Sequence, residues 1–159
     1  MLKVVYVGGR YRHYRPDRTL DPDLMALEIE DEMRWAVELS KMGHFVIPPL
    51  HLTVPLAEAV GIPQAEWIDR DLRFLRAIKP KQGVCIFRPG WGELFAGDSR
   101  PIWYPEGIYP VSRGCEAEHE CALECGVEIA DAHVMRADVV LAYMRQQADE
   151  DECGEMAMV

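Results

Sequence analysis

Leu2-Lys3-Val4-Val5-Tyr6-Val7, closed by Gly8-Gly9, opens the chain and decides its class. β-Branched and aromatic residues favour an extended, buried backbone, and the two glycines end it in a turn. Gly83-Val84-Cys85-Ile86-Phe87 repeats the pattern, and the shorter His44-Phe45-Val46-Ile47 stops at Pro48-Pro49. Near-continuous apolar runs mark strands covered on both faces, the habit of parallel sheets. Helical spacing fills the stretches between them. Asp21 or Asp23 caps a helix that runs to Lys41 on an apolar stripe of Met25, Ile29, Met33, Ala36 and Val37, with Gly43 as its stop. Pro63 starts a second helix, with Trp67, Ile68, Leu72, Leu75 and Ile78 as its stripe and Pro80 as its end. A third helix is expected from Gly114 to Cys125 with Gly126 as its C-cap, then a short strand Val127-Glu128-Ile129. A last helix is expected over 131–147, striped by Val134, Ala137, Leu141 and Met144. Residues 50–62 and 88–111 read as loops.

Strands alternating with helices predict an α/β fold: an open, doubly wound (Rossmann/flavodoxin-like) parallel sheet of four to five strands with helices on both faces. Ligands of such sheets sit at the carboxyl ends of the strands. Three segments converge there: the arginine-rich loop after the first strand, the segment around His51, and the stretch from Trp91 to Gly114. One domain is expected over 1–147, with residues 92–111 as an inserted lid and 148–159 as an acidic, disordered tail. Long loops of this kind usually carry function.

The chain has 159 residues and a net charge of -10, which argues against a nucleic-acid polymer as partner, since such binding needs a basic face. No apolar run has the length of a membrane span, so no membrane partner is expected. The chain runs straight into a strand with no signal peptide, and its five cysteines (Cys85, Cys115, Cys121, Cys125, Cys153) have no framework spacing. The expectation is a cytoplasmic protein with reduced thiols. No metal is expected: Cys115 and His119 share one helical face, Cys121 and Cys125 another, and neither a C-x-x-C nor an H-E-x-x-H pattern is present.

Ser112-Arg113-Gly114-Cys115-Glu116-Ala117-Glu118 carries the chemistry. A hydroxyl, a small residue and free backbone N–H groups at the start of a helix form a site for a phosphate or another anion. Glu118 lies one turn past Gly114, so its carboxylate points back to the same crevice. Read from residues alone, Ser112 is equally a capping serine and Glu118 one of four surface glutamates with Glu116, Glu120 and Glu124.

An ordered set of motifs extends this reading. Tyr6-Val-Gly-Gly-Arg-Tyr-Arg, then Ile29…Ala36…Leu39…Gly43, Trp67…Asp71-Leu72…Leu75, Pro89-Gly90-Trp91 and Ser112-Arg-Gly…Glu118…Ala122…Gly126 follow one another. Over residues 3–129 the chain resembles the nucleoside 2-deoxyribosyltransferase superfamily, in particular its small, often phage-encoded members and its nucleoside 5′-monophosphate N-glycosidases. The resemblance implies that Glu118 attacks C1′ of the sugar and that Tyr6 orients it, although Tyr6 on a buried strand also reads as a core aromatic. It implies that Asp71, with Asp69 as local rival, protonates the departing base. Ser112 matches the serine that accepts a 5′-phosphate. Gly8, Gly9, Arg10, His51, Trp91, Arg113 and Gly114 are the further substrate-binding candidates, Arg10 being the guanidinium best placed for phosphate. No cofactor is implied, the partner is a small-molecule nucleotide or nucleoside, and a homo-oligomer is expected. Two departures stand out: Lys79-Pro80-Lys81-Gln82 replaces the aspartate usual before the third strand, and about twenty residues are inserted between Trp91 and Ser112, where a short connection is usual. The alternative is a nucleotide-binding or sensing module without catalysis.

Overall fold

The computed structural model describes residues 1–91 and 102–157, the side chains of 151–157 excepted. Strand β1, Val4–Gly8, lies in the middle of the sheet, because it is apolar on both faces and pairs on both edges. Helix α1, Pro22–Lys41, follows the arginine loop; Asp21 is its cap and accepts the Leu24 N–H at 3.2 Å. Its buried face is Glu32, Trp35, Ala36 and Leu39, while Met33 and Val37 of the expected stripe stand exposed. Strand β2, Phe45–Ile47, forms one edge of the sheet.

Helix α2, Pro49–Val60, occupies most of the segment expected to be a loop. Proline is acceptable at the first helical position, where its missing N–H is no loss, and Gly61 ends the helix at φ 67°. Glu32 of α1 supplies the cap: its carboxylate accepts the Leu50 and His51 N–H groups at 3.0 Å each. Helix α3, Gln64–Ala77, buries Trp67, Asp71 and Leu75. Strand β3, Gly83–Phe87, is buried at every residue.

Residues 92–101 lie outside the described residues, and with them Gly92, Phe95, Gly97 and Pro101 of the expected lid. The rest of that segment is not loop throughout, for β4, Ile102–Tyr104, and β5, Gly107–Tyr109, pair antiparallel as a small hairpin. Helix α4, Arg113–Cys125, is capped by Ser112 and closed by Gly126. Strand β6, Glu128–Asp131, forms the other edge, and a one-turn helix α5, Ala132–Met135, follows. Arg136 then takes φ 72° and splits the expected last helix. Helix α6, Ala137–Ala157, continues past residue 147, so the backbone expected as a tail is helical as far as Ala157. No proline falls in that stretch, and Gln146, Gln147 and Ala148 favour helix.

The parallel sheet runs in the order β2-β1-β3-β6. Alternation along its strands sorts the core into two layers. Tyr6, Cys85 and Phe87 pack under α3 and α4 with Leu75, Cys115 and Ala122. Val5, Val7, Val84 and Ile86 pack on the other face against Trp35, Leu39, Val140 and Met144. Each such side chain contributes about 1.5–3 kcal/mol by burial. From β1 the chain passes to β2 on one side and, later, to β3 on the other. That reversal places a crevice beyond Gly8 and Phe87, the last pair of the β1–β3 ladder. Among the described residues no helix is long and apolar enough to cross a membrane.

Candidate functional site

A cleft opens at that point, and its floor is acidic. Glu118 from α4 and Asp71 from α3 are both buried, and Tyr6 rises from β1 beside them. Glu118 Oε2 lies against the Gly8 backbone, where a Cβ would sit only 2.6 Å away. Glycine is therefore required at position 8 by close approach rather than by conformation. Glu118 Oε2, Asp71 Oδ1 and Tyr6 Oη are buried with no hydrogen-bond partner.

These groups perturb one another. Burial, and after it the Asp71 carboxylate, pushes the Glu118 carboxyl well above the usual range, against the pull of the Tyr6 hydroxyl and the Arg88 guanidinium. Burial pushes Asp71 up to about 7, with the Thr53 hydroxyl opposing and Glu32 adding to the rise. Burial and the Glu118 charge raise the Tyr6 phenol as well, so Tyr6 remains a proton donor. Two carboxyl groups sharing one apolar floor favour holding a proton between them.

The walls come from four segments. Gly9, Tyr11 and Arg12 follow β1, Leu50 begins α2, and Gln64, Trp67, Ile68 and Asp71 form one stripe of α3. Tyr104 of the hairpin faces Ser112, Gly114 and Glu118 at the start of α4. Ser112 is buried there, its Oγ 3.5 Å from the Cys115 nitrogen, and its own N–H donates to the Trp91 carbonyl at 2.7 Å. The start of α4 thus borders the cleft one turn above Glu118 through Ser112 and Gly114, while the Arg113 N–H donates to the Tyr104 hydroxyl at 3.0 Å.

Several expected site residues serve elsewhere. His51 does not line the cleft; its Nδ1 lies 2.8 Å from Glu32 Oε1. Trp91 is core, packed on Phe87 and His119 with its Nε1 donating to the Asp131 carboxylate at 3.1 and 3.2 Å. Arg113 turns outward between Tyr104 and Tyr109, its guanidinium 4.2 and 4.5 Å from their ring centroids, and pairs with Glu106. Arg10 sends its Nε to the Arg12 carbonyl at 3.1 Å, and it is Arg12 that lines the cleft. Asp69 pairs on the surface with Arg73, leaving Asp71 as the acid of the floor.

Arg88 is the residue sequence reasoning missed. It is fully buried after β3 and donates to Glu28 at 2.8 Å, Asp31 at 3.1 Å and the Arg10 carbonyl at 3.2 Å. A Cβ at Gly9 would strike its guanidinium at 2.5 Å, so the two-glycine turn is shaped to pass it. Trp67 and Ile68 were legible only as core, although Gln64, Trp67 and Asp71 fall at helical spacing on one face. Among the described residues no group of three or more His, Cys, Asp or Glu is placed to hold a metal ion. Compared with known proteins, the chain matches no family model, no curated protein and no solved structure.

Proposed function

We propose that this cleft binds a nucleoside 5′-monophosphate and cleaves its base–sugar bond through Glu118. The observation that carries the reading is the Glu118 carboxylate itself: buried, without a partner on Oε2, pinned against Gly8 and one turn below the start of α4, where Ser112 and Gly114 line the cleft. A phosphate at Ser112 and Gly114 sets the sugar over that carboxylate. In the reactive form the proton shared by the two acids sits on Asp71 and Glu118 is ionised: Glu118 attacks C1′, the C1′–N bond breaks, and its electron pair leaves with the base, which takes the proton from Asp71. Water then attacks C1′, the C1′–Oε bond breaks, and the water proton returns to Asp71. The products are the free base and the sugar 5-phosphate. Tyr6, whose buried hydroxyl meets no other acceptor, is the donor placed beside Glu118 to stabilise charge on the reacting oxygen.

Incubating the protein with a panel of nucleoside 5′-monophosphates and following free base by chromatography tests the reading. Base released by the wild type and not by Glu118→Gln supports it. Binding without release replaces it with a nucleotide-binding module on the same cleft, a reading favoured by Lys79-Pro80-Lys81-Gln82 standing where the resemblance expects an acid.

A further inference from the structure

Two donors lie just beneath the cleft wall and find no acceptor within the chain. Arg12 Nε and Trp67 Nε1 are both buried without a hydrogen-bond partner, and both residues line the cleft. The Arg12 guanidinium carbon sits over the Trp67 ring, 6.0 Å from its centroid, which keeps the two side chains together in one wall of the cleft. Tyr11 fixes that wall, meeting Trp67 edge-on at 5.4 Å while its hydroxyl donates to Glu58 at 3.3 Å. Guanidinium and indole N–H groups donate and never accept. Buried donors without acceptors are rare in native proteins, and each one calls for a partner.

We propose that Arg12 and Trp67 form a base-recognition patch that selects nucleobases with a carbonyl oxygen at purine C6 or pyrimidine C4 over those with an amino group there. The inference rests on the nucleotide reading above. With phosphate at Ser112 and Gly114 and the sugar over Glu118, the lining left for the base is the outer part of the α3 stripe with Arg12, Tyr11 and Leu50. A carbonyl oxygen there satisfies the donors. An exocyclic amino group sets donor against donor and leaves both sides unpaired. Gln64, the remaining polar residue of that wall, offers both a donor and an acceptor and so accommodates the ring nitrogen of either class.

The test uses full-length protein carrying Glu118→Gln, so that ligands survive, and calorimetry with matched pairs differing at one exocyclic group: inosine against adenosine 5′-monophosphate, and uridine against cytidine 5′-monophosphate. Ribose 5-phosphate serves as the ligand without a base. The expected result is that each oxo member binds at least about tenfold tighter than its amino partner. Adding Trp67→Phe, which keeps the ring and removes the N–H, or Arg12→Met, reduces that ratio to within about threefold, each ratio being taken within one variant so that any change in phosphate affinity cancels. Equal affinity within each pair, or preference for the amino member, overturns the patch while the nucleotide reading stands. If none of the nucleotides nor ribose 5-phosphate binds, the nucleotide reading falls and takes the patch with it. The ratio measured with Glu118→Gln alone decides the matter even where a further variant fails to fold.

Discussion

Replacing Gly8 by alanine tests the catalytic geometry without touching a catalytic group. The added methyl would stand 2.6 Å from Glu118 Oε2 and 3.1 Å from the Phe87 ring, against the 3.4 Å at which ordinary contact begins. Strand β1 cannot retreat, because Gly8 pairs with Phe87 and its carbonyl accepts the Arg88 N–H at 2.9 Å. The carboxylate therefore yields, by about 0.8 Å, the difference between those contact distances. A displacement near 1 Å at a reacting atom costs on the order of 100-fold in rate. Overpacking costs about 1–3 kcal/mol of stability, which leaves the protein folded. The assay is steady-state base release beside a thermal melt. Gly9→Ala is the matched control, since its methyl meets the Arg88 guanidinium at 2.5 Å instead and registers chiefly in the melt. Gly8→Ala that folds and turns over at the wild-type rate refutes the placement of Glu118 as nucleophile.

Three further outcomes follow from the same geometry. Asp71→Asn stabilises the protein at pH 8 by up to about 4 kcal/mol and not at pH 4: a carboxyl raised from 3.8 to about 7 stays protonated in the fold while the unfolded chain ionises, so the wild type loses stability as pH rises through that window. Melting curves of both proteins across this range check it. Ser112→Asp keeps the helix cap but sets a carboxylate against the phosphate, so a 5′-monophosphate weakens at least about tenfold more than the matching nucleoside in calorimetry. Arg88→Met strands the Glu28 and Asp31 carboxylates and costs about 3–5 kcal/mol, read as a fall on the order of 10 °C in Tm.

What the sequence made legible was whatever local chemistry decides. β1 and β3 declared themselves by unbroken apolar runs, and α4 by its serine cap and glycine stop, which is why Ser112, Gly114 and Glu118 stood out as one crevice. Long-range partners decided the rest. Pro48-Pro49 marks the end of a strand and equally the first turn of a helix, and only the buried Glu32 of α1 completes that helix start. The same glutamate disturbs the stripe of α1, because a charged residue takes a core position to serve as the cap. Trp91 looked like a wall of the site until Asp131, forty residues on, claimed its N–H. Arg88 was invisible for a related reason: its partners Glu28 and Asp31 lie far back in the chain, and sequence shows only an arginine after a strand. The hairpin strands of three residues each are too short for alternation to register.

The bond from the Ser112 N–H to the Trp91 carbonyl brings together the two points where the chain leaves the sheet and returns to it. Of the segment between them, the described part from Ile102 onward holds the β4–β5 hairpin. Segments closed in this way can lengthen or shorten at little entropic cost, since each doubling adds only about 0.6 kcal/mol, and the strand register never feels the change. The domain is thus a chassis with an exchangeable cartridge. The floor that holds Glu118 and Asp71 belongs to the chassis, whereas Tyr104 in the wall belongs to the cartridge. Variation in that segment is free to retune what enters the cleft while the acids beneath it keep their places.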